Sequence, residues 1–132
     1  MTMYIYKKTQ SIDTTNKIEI DMLNTVPNGS VQNIFCDCID AIAFEKRNSI
    51  RNEILQKLSV GGQAKICIVN GRLLCKNLYL DKISYTDFNN VLIRTTSIGD
   101  PMDLYNSIPN NYKIIKHKTE NLLDFVTIER LS

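Results

Sequence analysis

Two short stretches near the N-terminus alternate apolar and polar side chains with the period of two that marks a strand. Residues 3–7 (Met-Tyr-Ile-Tyr-Lys) do so weakly and residues 17–22 (Lys-Ile-Glu-Ile-Asp-Met) cleanly, with polar residues 9–16 between them reading as a loop. Pro27-Asn28-Gly29-Ser30 predicts a turn, because Pro presets φ while Asn and Gly accept positive φ. Residues 31–43 open with a nearly continuous apolar run around 34–39, the pattern of a strand covered on both faces of a parallel sheet. Over residues 45–58, Ile50, Ile54, Leu55 and Leu58 fall on one stripe with charged residues opposite, which predicts a helix. Gly61-Gly62 offers that helix a stop, and residues 63–69 (Gln-Ala-Lys-Ile-Cys-Ile-Val) follow as a second core strand. Strand, helix and strand in this order predict a right-handed βαβ unit with parallel strands.

The spacing further predicts a helix over residues 72–83 and another over 85–94. In the second, Thr86 and Asp87 are candidate caps and Phe88, Val91 and Leu92 share a face. Residues 97–111 carry Gly99, Pro101 and Pro109 and read as a loop with one short helical turn. Residues 112–118 and 122–131 are β-like runs that read as a terminal antiparallel hairpin. The expectation is one α/β domain spanning residues 1–132.

Composition narrows the class without supplying chemistry. With 43% apolar and 23% charged residues, the 132-residue chain is ordinary for a soluble globular protein. Sixteen basic and 14 acidic residues leave a formal charge of +2, which gives little electrostatic reason to expect nucleic acid or an acidic membrane as partner. No apolar run approaches the roughly 18 residues of a membrane span. The opening residues 1–8 lack the small-residue cleavage site of a signal peptide, so a cytoplasmic location is expected. Ile, Asn and Lys make up about a third of the chain, a bias of AT-rich genomes, some phages among them. Cys36, Cys38 and Cys67 lie in apolar runs, and together with Cys75 they read as free thiols in a reducing compartment. A zinc site would need a second ligand pair, and His117 is the sole histidine.

Three stretches carry a family resemblance. Residues 23–35 (Leu-Asn-Thr-Val-Pro-Asn-Gly-Ser-Val-Gln-Asn-Ile-Phe) resemble the L-P-f-x-d-x-S-V-D-x-I-y entry into the fourth strand of class I, Rossmann-like, S-adenosylmethionine-dependent methyltransferases. Residues 53–66 resemble that family's E-x-x-R-v-L-K-P-G-G-x-l-x-I helix and turn, and the hairpin around Asp124–Arg130 is similar to its sixth and seventh strands. The resemblance covers the family's C-terminal half and about 100 residues here. It implies a truncated Rossmann-like sheet, mostly parallel with a C-terminal antiparallel hairpin, in which residues 1–30 are shrunken remnants of the N-terminal strands and residues 31–132 form the core.

The departures bear on function. The family's glycine-rich turn lets the backbone approach the cofactor closely after the first strand, yet residues 1–30 contain only Gly29 and no Gly-x-Gly occurs. Asp40-Ala41-Ile42-Ala43 stands where many members carry an acidic residue followed by His, and Val60 replaces the Pro of the P-G-G turn. The Asn/Asp-Pro-Pro-Tyr/Phe signature of adenine methylation is absent.

Asp37 and Asp40 are the candidate cofactor-binding residues, since they lie near the carboxyl end of the first core strand, where open α/β sheets place ligands. Their bland roles are a turn start for Asp37 and a cap for Asp40. His117 reads as a surface or edge residue. Lys113, Lys116 and Lys118 read as the solvated face of a strand, and Tyr4 and Tyr6 as half-wet interface anchors.

No catalytic or metal-binding residue is expected. The leading expectation is a catalytically inactive methyltransferase-like domain with no cofactor. It would act as a structural or interaction module, in a phage or viral assembly or as a pseudo-enzyme partner subunit, with a protein partner or a homo-oligomer covering the truncated sheet. The alternative is an S-adenosylmethionine-dependent methyltransferase whose site another chain completes. A third reading, a small α+β binding module, is supported if residues 34–38 and 65–69 are antiparallel or non-adjacent.

Overall fold

A computed structural model of the chain describes residues 2–6, 17–94 and 105–132. Six strands form one sheet: β1 (Thr2–Tyr6), β2 (Lys17–Glu19), β3 (Val31–Cys36), β4 (Leu58–Val69), β5 (Tyr112–Glu120) and β6 (Leu123–Arg130). Their spatial order is β2-β1-β3-β4-β6-β5. The first four run parallel, and β6 and β5 close the sheet antiparallel. Ile34 pairs with Ala64 and Cys36 with Ile66 in a parallel register, which removes the α+β alternative.

Alternation divides the sheet into two unlike faces. Ile5, Ile34, Cys36, Ala64, Ile66, Val126 and Ile128 point to one side and are buried there with Ile54 and Leu55 of α1 (Arg47–Gln56). Burying a side chain of this size contributes roughly 1.5–3 kcal/mol, so this layer holds the fold. The neighbours one residue on, Asn33, Gln63 and Lys65, point to the other side and are exposed, with Phe35 and Phe125 partly so. Cys67 and Val69 on that second face are buried, as is Leu74 of α2 (Gly71–Tyr79), outside the main cluster.

Several predicted bounds move for local reasons. The strand expected over 17–22 ends at Glu19, and Ile20–Thr25 wind into a 3-10 helix. Its three-residue turn puts Ile20 and Leu23 together in the core, which alternation would separate. Strand β3 stops at Cys36, and Ile39–Ala41 form a second 3-10 turn. The helix expected over 45–58 divides into a 3-10 turn at Phe44–Lys46 and α1, while Leu58 already belongs to β4.

Gly61-Gly62 does not stop the helix and lies inside β4. Gly61 has φ +79°, and a Cβ on Gly62 would stand 2.9 Å from the carbonyl oxygens of Gln32 and Ser59. The pair therefore makes the irregularity where β4 changes register against β3. Helix α2 ends at Tyr79 and is capped by Asn70, whose side chain accepts from the Leu73 N–H at 2.9 Å. Helix α3 (Tyr85–Arg94) is capped by Ser84, whose Oγ accepts from the Asp87 N–H, in place of Thr86 or Asp87. In the hairpin, Asn121 (φ 51°) and Leu122 (φ 70°) make a two-residue turn with both residues at positive φ, the handedness that matches strand twist. The loop expected over 9–16, and that part of the 97–111 loop up to residue 104, lie outside the described residues.

Candidate functional site

Between β1 and β3 the strand order reverses. The chain leaves β1 outward to β2, then returns to β3 on the other side of β1. Open parallel sheets bind ligands at such a switch point, beyond the carboxyl ends of the strands. Asp37 follows β3 directly and is exposed there. Its carboxylate accepts a hydrogen bond from the Tyr4 hydroxyl of β1 at 2.6 Å. Burial first, then that bond to Asp37 and the carboxylate's charge, hold the Tyr4 phenol above its ordinary value. One residue further, the Cys38 thiol reaches the Ile5 carbonyl at 3.7 Å. Side chains of β3's exit thus span directly to β1.

Asp40 is buried and engaged elsewhere. Its Oδ2 accepts from the Val69 N–H at the end of β4 at 2.8 Å, and Oδ1 lies 3.9 Å from the Arg47 guanidinium. Arg47 also donates to the carbonyls of Ile42 and Asp40 itself, at 3.0 and 2.8 Å. Burial raises the Asp40 carboxyl above its ordinary value against the pull of the Val69 N–H and Arg47, and burial lowers Arg47. Asp40 therefore joins the exit of β3, the end of β4 and the start of α1. Asp37 and Asp40 share a segment but face different partners.

The thiols are free, with Cys36, Cys38 and Cys67 buried and Cys75 exposed. Cys36 and Cys38 sulfurs stand 3.7 Å apart, and that contact together with burial pushes the Cys36 thiol well up. Burial pushes Cys67 up to about 11. Among the described residues no group of three or more His, Cys, Asp or Glu side chains is placed to hold a metal ion.

The hairpin holds a cluster that the sequence reading missed. His117 Nε2 lies 3.0 Å from Asp124 Oδ1, and the Thr119 hydroxyl donates to the same oxygen at 2.6 Å. Because a carboxylate only accepts, Nε2 donates to it, and Nδ1 lies 3.1 Å from the Tyr105 hydroxyl. Asp124 is wholly buried, and among the described residues its Oδ2 has no partner. His117 is, as expected, an exposed residue of the edge strand β5, and there it is engaged by Tyr105 and Asp124. A legible signal existed: Asp124 occupies the inward phase of the series that continues with Val126 and Ile128.

Comparison with solved structures finds a similar fold. The chain superposes on an O-methyltransferase family protein from Burkholderia thailandensis with a TM-score of 0.62 at 8% identity, covering 89% of this chain and 37% of that one. On a SAM-dependent methyltransferase from Archaeoglobus fulgidus the TM-score is 0.55 at 9% identity, covering 87% and 67%. A Bordetella parapertussis protein gives 0.64 at 8% identity, covering 89% and 45%. The chain has the Rossmann-like methyltransferase fold. This methyltransferase-like domain spans less than half the length of two of these three structures. No family model matches its sequence, and no curated protein does.

The Archaeoglobus fulgidus neighbour is a SAM-dependent methyltransferase, and in this chain both candidate carboxylates already have partners. The acidic group at the switch point is held by Tyr4, Asp40 is consumed by Val69 and Arg47, and residues 2–28 supply no glycine for close backbone approach.

Proposed function

We propose that this chain is a methyltransferase-like domain without a self-contained cofactor site, serving as a structural or interaction module. The observation that carries the reading is the switch point itself, where the Tyr4 hydroxyl and Asp37 carboxylate satisfy one another across β1 and β3 at 2.6 Å. That bond occupies Asp37 Oδ2, so a ligand hydroxyl at this position shares the carboxylate with a donor of the chain's own. The partner in this reading is a protein or a second copy of the chain, in a phage-type assembly or beside an active methyltransferase. Tyr79, Tyr85 and Ile93 of the α2–α3 region support it, since they are 86%, 76% and 80% exposed. The described helices include none long and apolar enough to cross a membrane.

Calorimetric titration of the purified chain with S-adenosylmethionine and S-adenosylhomocysteine tests the reading, with light scattering on the same sample. The expected result is no saturable heat and a mass above that of one chain. Saturable binding by the chain alone overturns the reading. Binding that appears only with an added methyltransferase chain favours the alternative of a site completed in trans.

A further inference from the structure

The exposed face of the sheet is ordered in a way that net charge conceals. One register row crosses five strands there: Tyr4 of β1 pairs with Phe35 of β3, Phe35 with Lys65 of β4, Lys65 with Thr127 of β6, and Thr127 with Lys116 of β5. Four interstrand spacings of about 4.8 Å make this row roughly 19 Å long. Its aromatic end is a stacked pair, with Tyr4 and Phe35 rings 5.4 Å apart and 15° from coplanar. Phe125, one row over, lies under the Lys65 ammonium at 5.6 Å and is flanked by Lys118. Among the described residues no ion pair ties Lys65 or Lys116 to a carboxylate; Lys118 meets Glu120 at 3.3 Å at the rim.

We propose that this row binds single-stranded nucleic acid, bases against Phe35 and Phe125 and phosphates against Lys65 and Lys116. Aromatic rings on an open sheet interleaved with cations supply both elements such a strand needs, a sequence-tolerant stacking surface and backbone neutralisation. An acidic peptide would use the lysines and leave the rings idle, and an apolar partner would leave the lysines buried without counter-charge. The face takes two or three bases by its length. The row meets the switch point at Tyr4, but its base and phosphate contacts lie on Phe35, Phe125, Lys65 and Lys116 and do not rest on the absence of a cofactor there. It runs against the expectation drawn from the +2 total, since Lys65, Lys113, Lys116 and Lys118 share this face with Glu129 and Glu120 and leave it a surplus of positive charge.

Fluorescence anisotropy with a labelled oligouridylate of about twelve nucleotides tests the proposal on the full chain, with a duplex of the same length as competitor. The expected result is binding that prefers the single strand. Its logarithmic salt slope should lie near −1.4, as about two neutralised phosphates give on a single strand. The double variant Lys65→Glu, Lys116→Glu should bind at least tenfold more weakly, and Lys65→Gln, Lys116→Gln should fall between. Lys46→Glu, beside α1 on the covered side, should match the parent. Circular dichroism of each variant establishes that it folds. No binding at low salt, equal affinity for the duplex, or binding that neither double variant weakens overturns the proposal. A drop from oligomer to monomer in light scattering on either double variant also overturns it, by making the face a contact between copies.

Discussion

Replacing Asp40 with Ala removes a carboxylate that three elements share. The Val69 N–H, now 2.8 Å from Asp40 Oδ2, is left at a buried position without an acceptor, a loss of about 1–3 kcal/mol. Arg47, 7% exposed, loses its counter-charge at 3.9 Å but keeps the carbonyls of Ile42 and residue 40. Its share therefore falls well below the roughly 3–5 kcal/mol of a close buried pair. The two together come to about 3 kcal/mol for Asp40→Ala. Asp40→Asn keeps an acceptor for Val69 and should lose about 1 kcal/mol. Urea denaturation at neutral pH reads both, and a midpoint for Asp40→Ala within about 0.5 kcal/mol of the parent would refute the argument.

The pH dependence supplies an independent check. Burial raises the native carboxyl above its ordinary 3.8, so just above that pH the native state binds more protons than the unfolded one. Stability contributed at this residue therefore falls as pH rises through the window between the two values, and Asp40→Asn lacks that slope.

The other predictions concern separate parts of the fold. Iodoacetamide at pH 8 should modify the native chain once, at exposed Cys75, and all four cysteines only after denaturation; mass spectrometry showing rapid labelling of Cys67, whose thiol burial raises to about 11, would count against the packing described. Gly62→Ala should destabilise by about 1–3 kcal/mol, because its Cβ would meet two carbonyl oxygens at 2.9 Å, and an unchanged urea midpoint would contradict that contact. His117→Ala should lose about 1–3 kcal/mol by leaving the wholly buried Asp124 with Thr119 as its remaining donor, and amide exchange should rise in β5 and β6; unaltered exchange would show the cluster to be dispensable.

The parallel β3–α1–β4 unit and the closing hairpin were legible because each rests on a strong local signal: an apolar run, a helical stripe, and alternation bounded by turn residues. Element ends were not, and the reason is tertiary. Ile20 and Leu23 reach the core together only in a 3-10 turn, and Gly61-Gly62 serves β4 because neighbouring carbonyls crowd the position from Gln32 and Ser59. At the candidate site, Asp37 and Asp40 could be placed at the carboxyl end of a strand, but not their partners. Tyr4 lies 33 residues from Asp37 and Val69 lies 29 from Asp40. The role of His117 was hidden the same way, since Tyr105 and Asp124 come to it only through the turn and the hairpin register.

In the proposed function, the chain's own groups close the switch point between β1 and β3. A two-dimensional amide NMR titration with S-adenosylhomocysteine tests it most directly, by following Tyr4, Ile5, Asp37 and Cys38. The expected result is no saturable shift at those amides up to millimolar ligand, where a dissociation constant of about 1 mM corresponds to about −4.1 kcal/mol. Saturable shifts centred on Asp37 and Cys38 would contradict it and make the switch point a working cofactor site.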